Sequence, residues 1–232
     1  HLTDVSNASR TMLYNINKFA WDNELLEIFS VPRSMLAEVL TCDANFGFLS
    51  KQQFGLSIPI TGVIGDQQAA LVGQQCLNEL DAKITFGSGA FLMLNTGQEK
   101  FQSSHLLSTI AYKTKQTHAY AMEGSIFNAG TIVQWLRDKL NLIETMGQSE
   151  AIASSLNDNG GVYFIPAFTG LAAPCWQPQA RGTIVGLQLD SNKNHLVRAG
   201  LEAVAYQTKD LIQTLLAELD INITTLKVDG GM

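Results

Sequence analysis

The apolar positions of this chain change rhythm near residue 82. Before it they are helix-spaced and separated by polar stretches. Met12, Leu13, Ile16 and Phe19 recur at helical spacing and predict a helix through "TMLYNINKF". Asp22 before "NELLEIF" predicts a short helix with an acidic start. "SVPRSMLAEVL" predicts another, with Pro32 at its first position. "TCDANFGFLSKQQFG" reads as loop, "SIPITGVIG" as a β-branched strand, and "GDQQAALVGQQCL" as a small-residue helix opening on polar side chains. After residue 82 the runs are short and turn-separated. "AKITFG", "AFLMLNTG", "LLSTIAYK" and "HAYAMEG" predict hairpin strands, with "KTKQTH" as a solvated tip. A helix is expected at about 125–140 with Ile126, Val133, Leu136 and Leu140 near one face, and a shorter one over "QSEAIASSL". "VYFIPAF" and "TIVGL" are strands around the loop "TGLAAPCWQPQARG", and a long helix over 193–219 follows the caps Ser191 and Asn192. "TLKVDGGM" is a last strand running into glycines. This order predicts an α/β fold, a mixed sheet flanked by helices. The texture change places a boundary at residues 74–81, giving domains 1–75 and 76–232.

Composition narrows the function classes. The 232 residues are 46% hydrophobic and 16% charged, with a net charge of −6. No basic stripe is available to neutralise phosphates, so a nucleic-acid or anionic-membrane binder is not expected. Cys42, Cys76 and Cys175 are dispersed, which suggests reduced thiols and a cytoplasmic protein. His1, His105, His118 and His195 show no metal-ligand spacing. No apolar run reaches membrane-spanning length. The chain starts at His1 and stops at "VDGGM", and both ends read as cuts through a longer chain.

Three stretches carry candidate chemistry. In "GDQQAA" Asp66 sits where a helix begins, so it is either an N-cap or a general base held at a cleft, and a carboxylate can serve as both. Gln67 and Gln68 follow it, Gln68 with no role beyond packing or polar contact. "TFGSGAF" joins two strands through Gly87, Ser88 and Gly89, a plain turn or a place where backbone amides approach a phosphate. It lacks the Walker lysine, and no helix follows it. "VDGGM" is a second strand-to-glycine corner, at Gly230 and Gly231. Trp176 either plugs its long loop onto the core or belongs to a binding loop.

Taken in order, "ITGVIGDQQAALVGQ", "ITFGSGAFLMLNTG", "AMEGSIFNAGTIVQWLRD", "GVYFIPAFTGLAAPCWQPQARGTIVGL", "LEAVAYQTKD" and "LKVDGG" resemble the FGGY carbohydrate kinases, specifically their glycerol-phosphorylating branch. The resemblance runs from residue 1 to residue 232. It implies a ribonuclease-H-like, actin/hexokinase-type fold in a two-lobed kinase, with ATP and Mg2+ as cofactors and glycerol as acceptor. Residues 1–75 would be the end of the first lobe and its inter-lobe helix, and 76–232 the nucleotide-binding second lobe. Asp66 matches the catalytic base, Gln67 a glycerol-binding residue, and Phe91 a floor beside the polyol carbons. Gly87, Ser88 and Gly89 match the phosphate hairpin, Ser88 standing where a threonine is usual. Gly130, Gln134, Gly230 and Gly231 match further nucleotide contacts. Implied partners are glycerol and ATP or ADP, and a second copy in a dimer or tetramer. Another polyol or sugar, or a non-catalytic homologue, are the alternatives.

Two departures qualify the match. "APCWQPQARG" carries Cys175, Gln177 and Gln179 where the family has aromatic or acidic residues. Ser57 stands where the regulated enzymes have an arginine that grips fructose 1,6-bisphosphate, so weak or absent inhibition by that effector is expected. The family's first phosphate loop, its first-lobe magnesium aspartate and its glycerol clamp would precede residue 1. The isolated chain is therefore expected to lack kinase activity.

Overall fold

The computed structural model describes residues 1–232, and they form two compact units. Residues 1–82, 93–102 and 107–123 make the first, and residues 83–92, 103–106 and 124–232 the second.

The first unit opens with β1 (Leu2–Asp4) and α1 (Val5–Ala8). Asp4 caps α1, its carboxylate accepting from the amides of Ser6 and Asn7. The helix expected through Met12–Phe19 is absent. A hairpin of β2 (Tyr14–Asn15) and β3 (Ala20–Trp21) stands there instead. The reason is local: Asn15 Oδ1 accepts from the amides of Asn17 and Lys18, and this Asx turn competes with helix hydrogen bonds. Met12 and Phe19 take left-handed backbone, at φ 62° and 49°. Asp22 caps α2 (Asn23–Ile28) as expected. Pro32 precedes only one 3₁₀ turn, Arg33–Met35, after which the chain turns extended as β4 (Glu38–Leu40), paired in parallel with β1.

One further turn of helix, α3 (Lys51–Phe54), lies in the expected loop. The strand expected over "SIPITGVIG" is extended chain without a ladder. Its backbone bonds are spent singly, Ile60 and Val63 donating to Gly47 O and Cys42 O. α4 (Asp66–Gly73) follows.

The chain then builds β5 (Ala82–Phe86), β6 (Ala90–Asn95), β7 (Leu107–Lys113) and β8 (His118–Ile126). β7 and β8 form the expected antiparallel hairpin, closed by a turn in which Thr114 N donates to Thr117 O. Val5, Ala8, Tyr14, Cys42, Ile110 and Tyr120 form one core of the first unit, and Leu71, Cys76, Met93, Ala111, Ala119 and Ala121 another. Glu123 is buried and receives Arg10 in a fork, Nη1 and Nη2 each 2.8 Å from one carboxylate oxygen.

The second unit continues with α5 (Gly130–Asp138), α6 (Gln148–Ser154), β9 (Tyr163–Ile165), β10 (Thr183–Val185), α7 (Lys193–Leu219) and β11 (Leu226–Gly230). β8 runs to Ile126, so α5 begins later than its apolar spacing predicts. α7 has the predicted bounds. Asn192 and His195 form a reciprocal capping box, and Val197, Ala203, Val204, Leu211 and Leu215 are buried along it. α6, α5 and β9 pack on this helix, and β9 pairs antiparallel with β10. The five principal strands are ordered β11-β5-β6-β8-β7. The loop between β9 and β10 is pinned by Trp176, whose indole N–H donates to His105 O at 2.8 Å while the ring stays 37% exposed. Cys175, Gln177 and Gln179 are all exposed on this loop.

Candidate active site

In the first unit the decisive stretch is the entry to α4. Asp66 does not cap this helix. The N-cap is Gly65, at φ −63° and ψ 150°, and Asp66 is the first helical residue. A capping carboxylate reaches the amides two or three residues on. Asp66 Oδ1 instead accepts from the adjoining Gln67 amide, at 2.7 Å, and the residue is exposed. The carboxylate sits at the end of α4 where the helix dipole favours negative charge. Gln67 is half-buried beside it.

Gln68, which had no role in the sequence, is 2% exposed. Its Nε2 donates to Ile110 O at 3.4 Å, and its Oε1 lies 2.7 Å from where a Cβ on Gly65 would stand. The Gly65 amide donates to Ser6 Oγ at 2.8 Å, and the Ser6 hydroxyl donates to Asp4 Oδ2 at 2.5 Å. Both Asp4 and Ser6 are fully buried. Cys42 shares this pocket, its Sγ donating to Asp4 Oδ2 at 3.3 Å, and burial beside that carboxylate raises the thiol pKa to about 11. Sequence reasoning missed Asp4 and Ser6. The available signal was an Asp ahead of a short helix, "TDVSNAS", which reads as a cap and nothing more.

In the second unit the structure brings both strand-to-glycine corners to the N-terminus of α5. Gly130 N donates to Gly87 O at 2.9 Å, and Ala129 N and Thr131 N both donate to Ser88 O, at 2.8 and 3.2 Å. Met232 N donates to Phe86 O at 3.2 Å. The fit leaves no room for side chains. A Cβ on Gly89 would lie 2.5 Å from Ile126 O, one on Gly130 2.7 Å from Gly87 O, and one on Gly230 2.0 Å from Phe86 O.

This arrangement fixes where the hairpin amides point. A trans peptide holds its N–H opposite its C=O, and Ala173–Pro174 is the cis bond of this chain. Because Gly87 O and Ser88 O face α5, the N–H groups of Ser88 and Gly89 face away from it. Two successive amides aimed the same way are donors that one anionic oxygen could share, and Ser88 is exposed while Gly89 is buried. Gly231 and Met232 border a cavity of about 500 Å³ with Val133, Met146, Ser149, Glu150 and Leu201. Gln134 is exposed on the next turn of α5, and Phe91 is half-buried on β6. A larger groove of about 760 Å³ lies between α7 and β11 and reaches Phe86, Gly230 and Met232 of this corner, but Leu201, Val204, Ile212 and Val228 make it chiefly apolar and neither Ser88 nor Gly89 lines it. Asp66 and Gln67 thus belong to the first unit, and Ser88, Phe91 and the glycine corner to the second.

Comparison with known proteins gives the family and the fold. Residues 1–73 match the N-terminal domain of the FGGY family of carbohydrate kinases, and residues 82–232 its C-terminal domain. A glycerol kinase of Desulfitobacterium hafniense is 53% identical over the whole of this chain and 47% of its own length, and one of Coxiella burnetii is 54% identical over 46% of its length. The chain therefore spans about half the length of the curated relatives it matches. A crystal structure of Plasmodium falciparum glycerol kinase with ADP superposes with a TM-score of 0.88 at 40% identity, over 100% of this chain and 47% of that one. A xylulose kinase of Lactobacillus acidophilus, at 22% identity and a TM-score of 0.80, shares the fold. That fold is the actin/hexokinase-like ATPase fold, a mixed sheet flanked by helices.

Proposed function

The chain belongs to the FGGY family of carbohydrate kinases, and we propose that the protein of which it forms part transfers the γ-phosphoryl group of ATP to glycerol, giving glycerol 3-phosphate. The observation that carries this reading is Asp66: an exposed carboxylate at the first position of α4, not spent on capping, in a chain about half identical throughout to glycerol kinases. Asp66 accepts the proton of the terminal hydroxyl. The freed oxygen attacks the γ-phosphorus, the bond to the bridging oxygen breaks, and ADP leaves. Gln67 holds a glycerol hydroxyl and Phe91 packs against its carbons.

The Ser88 and Gly89 amides and the Ser88 hydroxyl receive phosphate oxygens, and the cavity beside Gly231 takes the nucleoside, with Gly130 and Gln134 of α5 and Gly230 of β11 as further nucleotide contacts outside its lining. The side-chain-free corner fits a group that must lie against backbone. Magnesium bound with the nucleotide would supply charge neutralisation on its phosphate oxygens, and no side chain of this chain is assigned to it. Residues 1–75 are the end of the first lobe and 76–232 the second. Cys42 and Cys76 are buried and form no disulfide, which favours a cytoplasmic protein, and the full-length protein would assemble as a dimer or tetramer.

The test is ADP release by the full-length protein with ATP and glycerol. Turnover dependent on both is expected, and Asp66→Asn should lower kcat on the order of a hundredfold or more, the weight of a general base. Near-normal turnover of Asp66→Asn would remove the base assignment. Turnover with another polyol or sugar but not with glycerol would redirect the substrate.

A further inference from the structure

The entry to α4 contains a device that neither the sequence nor the proposed chemistry requires. A Cβ on Gly65 would lie 2.7 Å from the Oε1 of Gln68, closer than two such atoms sit. A glycine directly before a reacting carboxylate is a liability, since glycine is the most freely rotating residue. Its only polar handle toward Ser6 is its amide, and that amide is held by the hydroxyl at 2.8 Å. A hydroxyl is itself a free rotor. Here its proton is directed to Asp4 Oδ2 at 2.5 Å, so its lone pairs face Gly65. Asp4 is in turn immobilised by the Ser6 amide at 2.8 Å, the Asn7 Nδ2 at 2.6 Å, the Asn7 amide at 3.3 Å and the Cys42 thiol at 3.3 Å. From the buried carboxylate to the residue before Asp66 there are two hydrogen bonds, both fully inside the first unit.

We propose that Asp4 and Ser6 are positioning residues for the phosphoryl transfer: through the Gly65 amide they fix the backbone from which the Asp66 carboxylate is presented. This rests on Asp66 being the base. A displacement of about 1 Å at a reacting group can cost a hundredfold in rate, while nucleotide binding at the glycine corner of the other unit would not depend on it.

The experiment uses the full-length protein. Ser6→Ala should lower kcat ten- to a hundredfold at saturating ATP and glycerol, with the KM for ATP unchanged within twofold. Ser6→Thr, which keeps the hydroxyl, should recover most of that loss, and Asp4→Asn should fall between. A folded Ser6→Ala with kcat within twofold of the parent would overturn the proposal, as would a parallel rise in the KM for ATP. Should Ser6→Ala not fold, hydrogen exchange on the unaltered protein decides: the Gly65 amide must be protected, and exchange at the unprotected rate overturns the anchor. Asp66→Asn is measured alongside. If it retains turnover while Gly65 is protected, the base assignment has failed and the anchor has not.

Discussion

The two corners that carry the candidate chemistry are built by opposite means. Before α4, geometry is set by side chains: Asp4, Ser6 and Gln68 converge on Gly65 and hold one amide and one empty Cβ position. Around the N-terminus of α5, geometry is set chiefly by backbone, with carbonyls of Phe86, Gly87 and Ser88 receiving amides across the gap and the Thr131 hydroxyl adding one bond to Ser88 O at 3.1 Å. A group that must move a proton has to be a side chain, so its support can be side chains too. A surface that meets phosphate oxygens through amides has to exclude side chains. The first design is adjustable by substitution and the second is not.

The sharpest way to break this contrast is Gly230→Ala. Its φ of +111° and a Cβ only 2.0 Å from Phe86 O leave neither conformation nor space. The loss should exceed about 3 kcal/mol, since strain and a backbone clash add. Gly231→Ala, one residue on, meets nothing within 4 Å. It should unfold within about 0.5 kcal/mol of the parent, so that any change in its ADP affinity reports on the ligand alone. Urea midpoints and ADP titrations of the two variants check both statements. Equal destabilisation by the pair would show that the corner is not made by close backbone approach.

At the other corner the same substitution should be milder and reversible. Gly65 has φ −63°, which alanine adopts freely, and its obstacle is the end of a side chain. Gly65→Ala should cost about 1–2 kcal/mol by overpacking against Gln68. Adding Gln68→Ala should return part of it, so that the double variant costs less than the sum of the singles. Additive losses in a double-mutant cycle would count against Gln68 as the group that requires a glycine there.

The contrast also explains what could be read from the chain before its structure. α7 was legible to its ends because twenty-seven residues of apolar spacing and the Asn192 cap agree. The hairpins were legible because β-branched runs and turn residues alternate. The Met12–Phe19 helix was misread because Asn15 offers two amides a local acceptor that periodicity does not see. "SIPITGVIG" was misread because β-propensity cannot say whether a neighbouring strand is present to pair with. In the candidate site, Asp66 and the glycines stood out as residue types. Asp4 and Ser6 did not, because they lie about sixty residues from Gly65 and look like an ordinary cap until the fold brings them to it. The direction of the Ser88 and Gly89 amides was equally hidden, since it follows from hydrogen bonds made by their neighbours' carbonyls.

The side-chain-built corner carries one more consequence, smaller than the others and readable through pH. Cys42 and Tyr14 both lie in the core beside Asp4. Burial first, and the Asp4 carboxylate with it, raise Cys42 from 9.0 to about 11 and Tyr14 from 10.0 to about 12. Both groups are neutral when protonated, so the native state favours the protonated form relative to the unfolded chain. Their contribution to stability is complete below pH 9 and is lost as pH rises through the folded values. Each amounts to something on the order of 1 kcal/mol once solvent screening is allowed for. Urea midpoints should therefore decline as pH rises from about 9 to about 12. Cys42→Ser keeps a donor to Asp4 but does not titrate there, and it should flatten the first part of that decline. Tyr14→Phe keeps the edge-on contact with Trp21, at 5.4 Å between rings, and should flatten the later part. A decline unchanged in both variants would place the alkaline sensitivity elsewhere than in the pocket that supports Gly65.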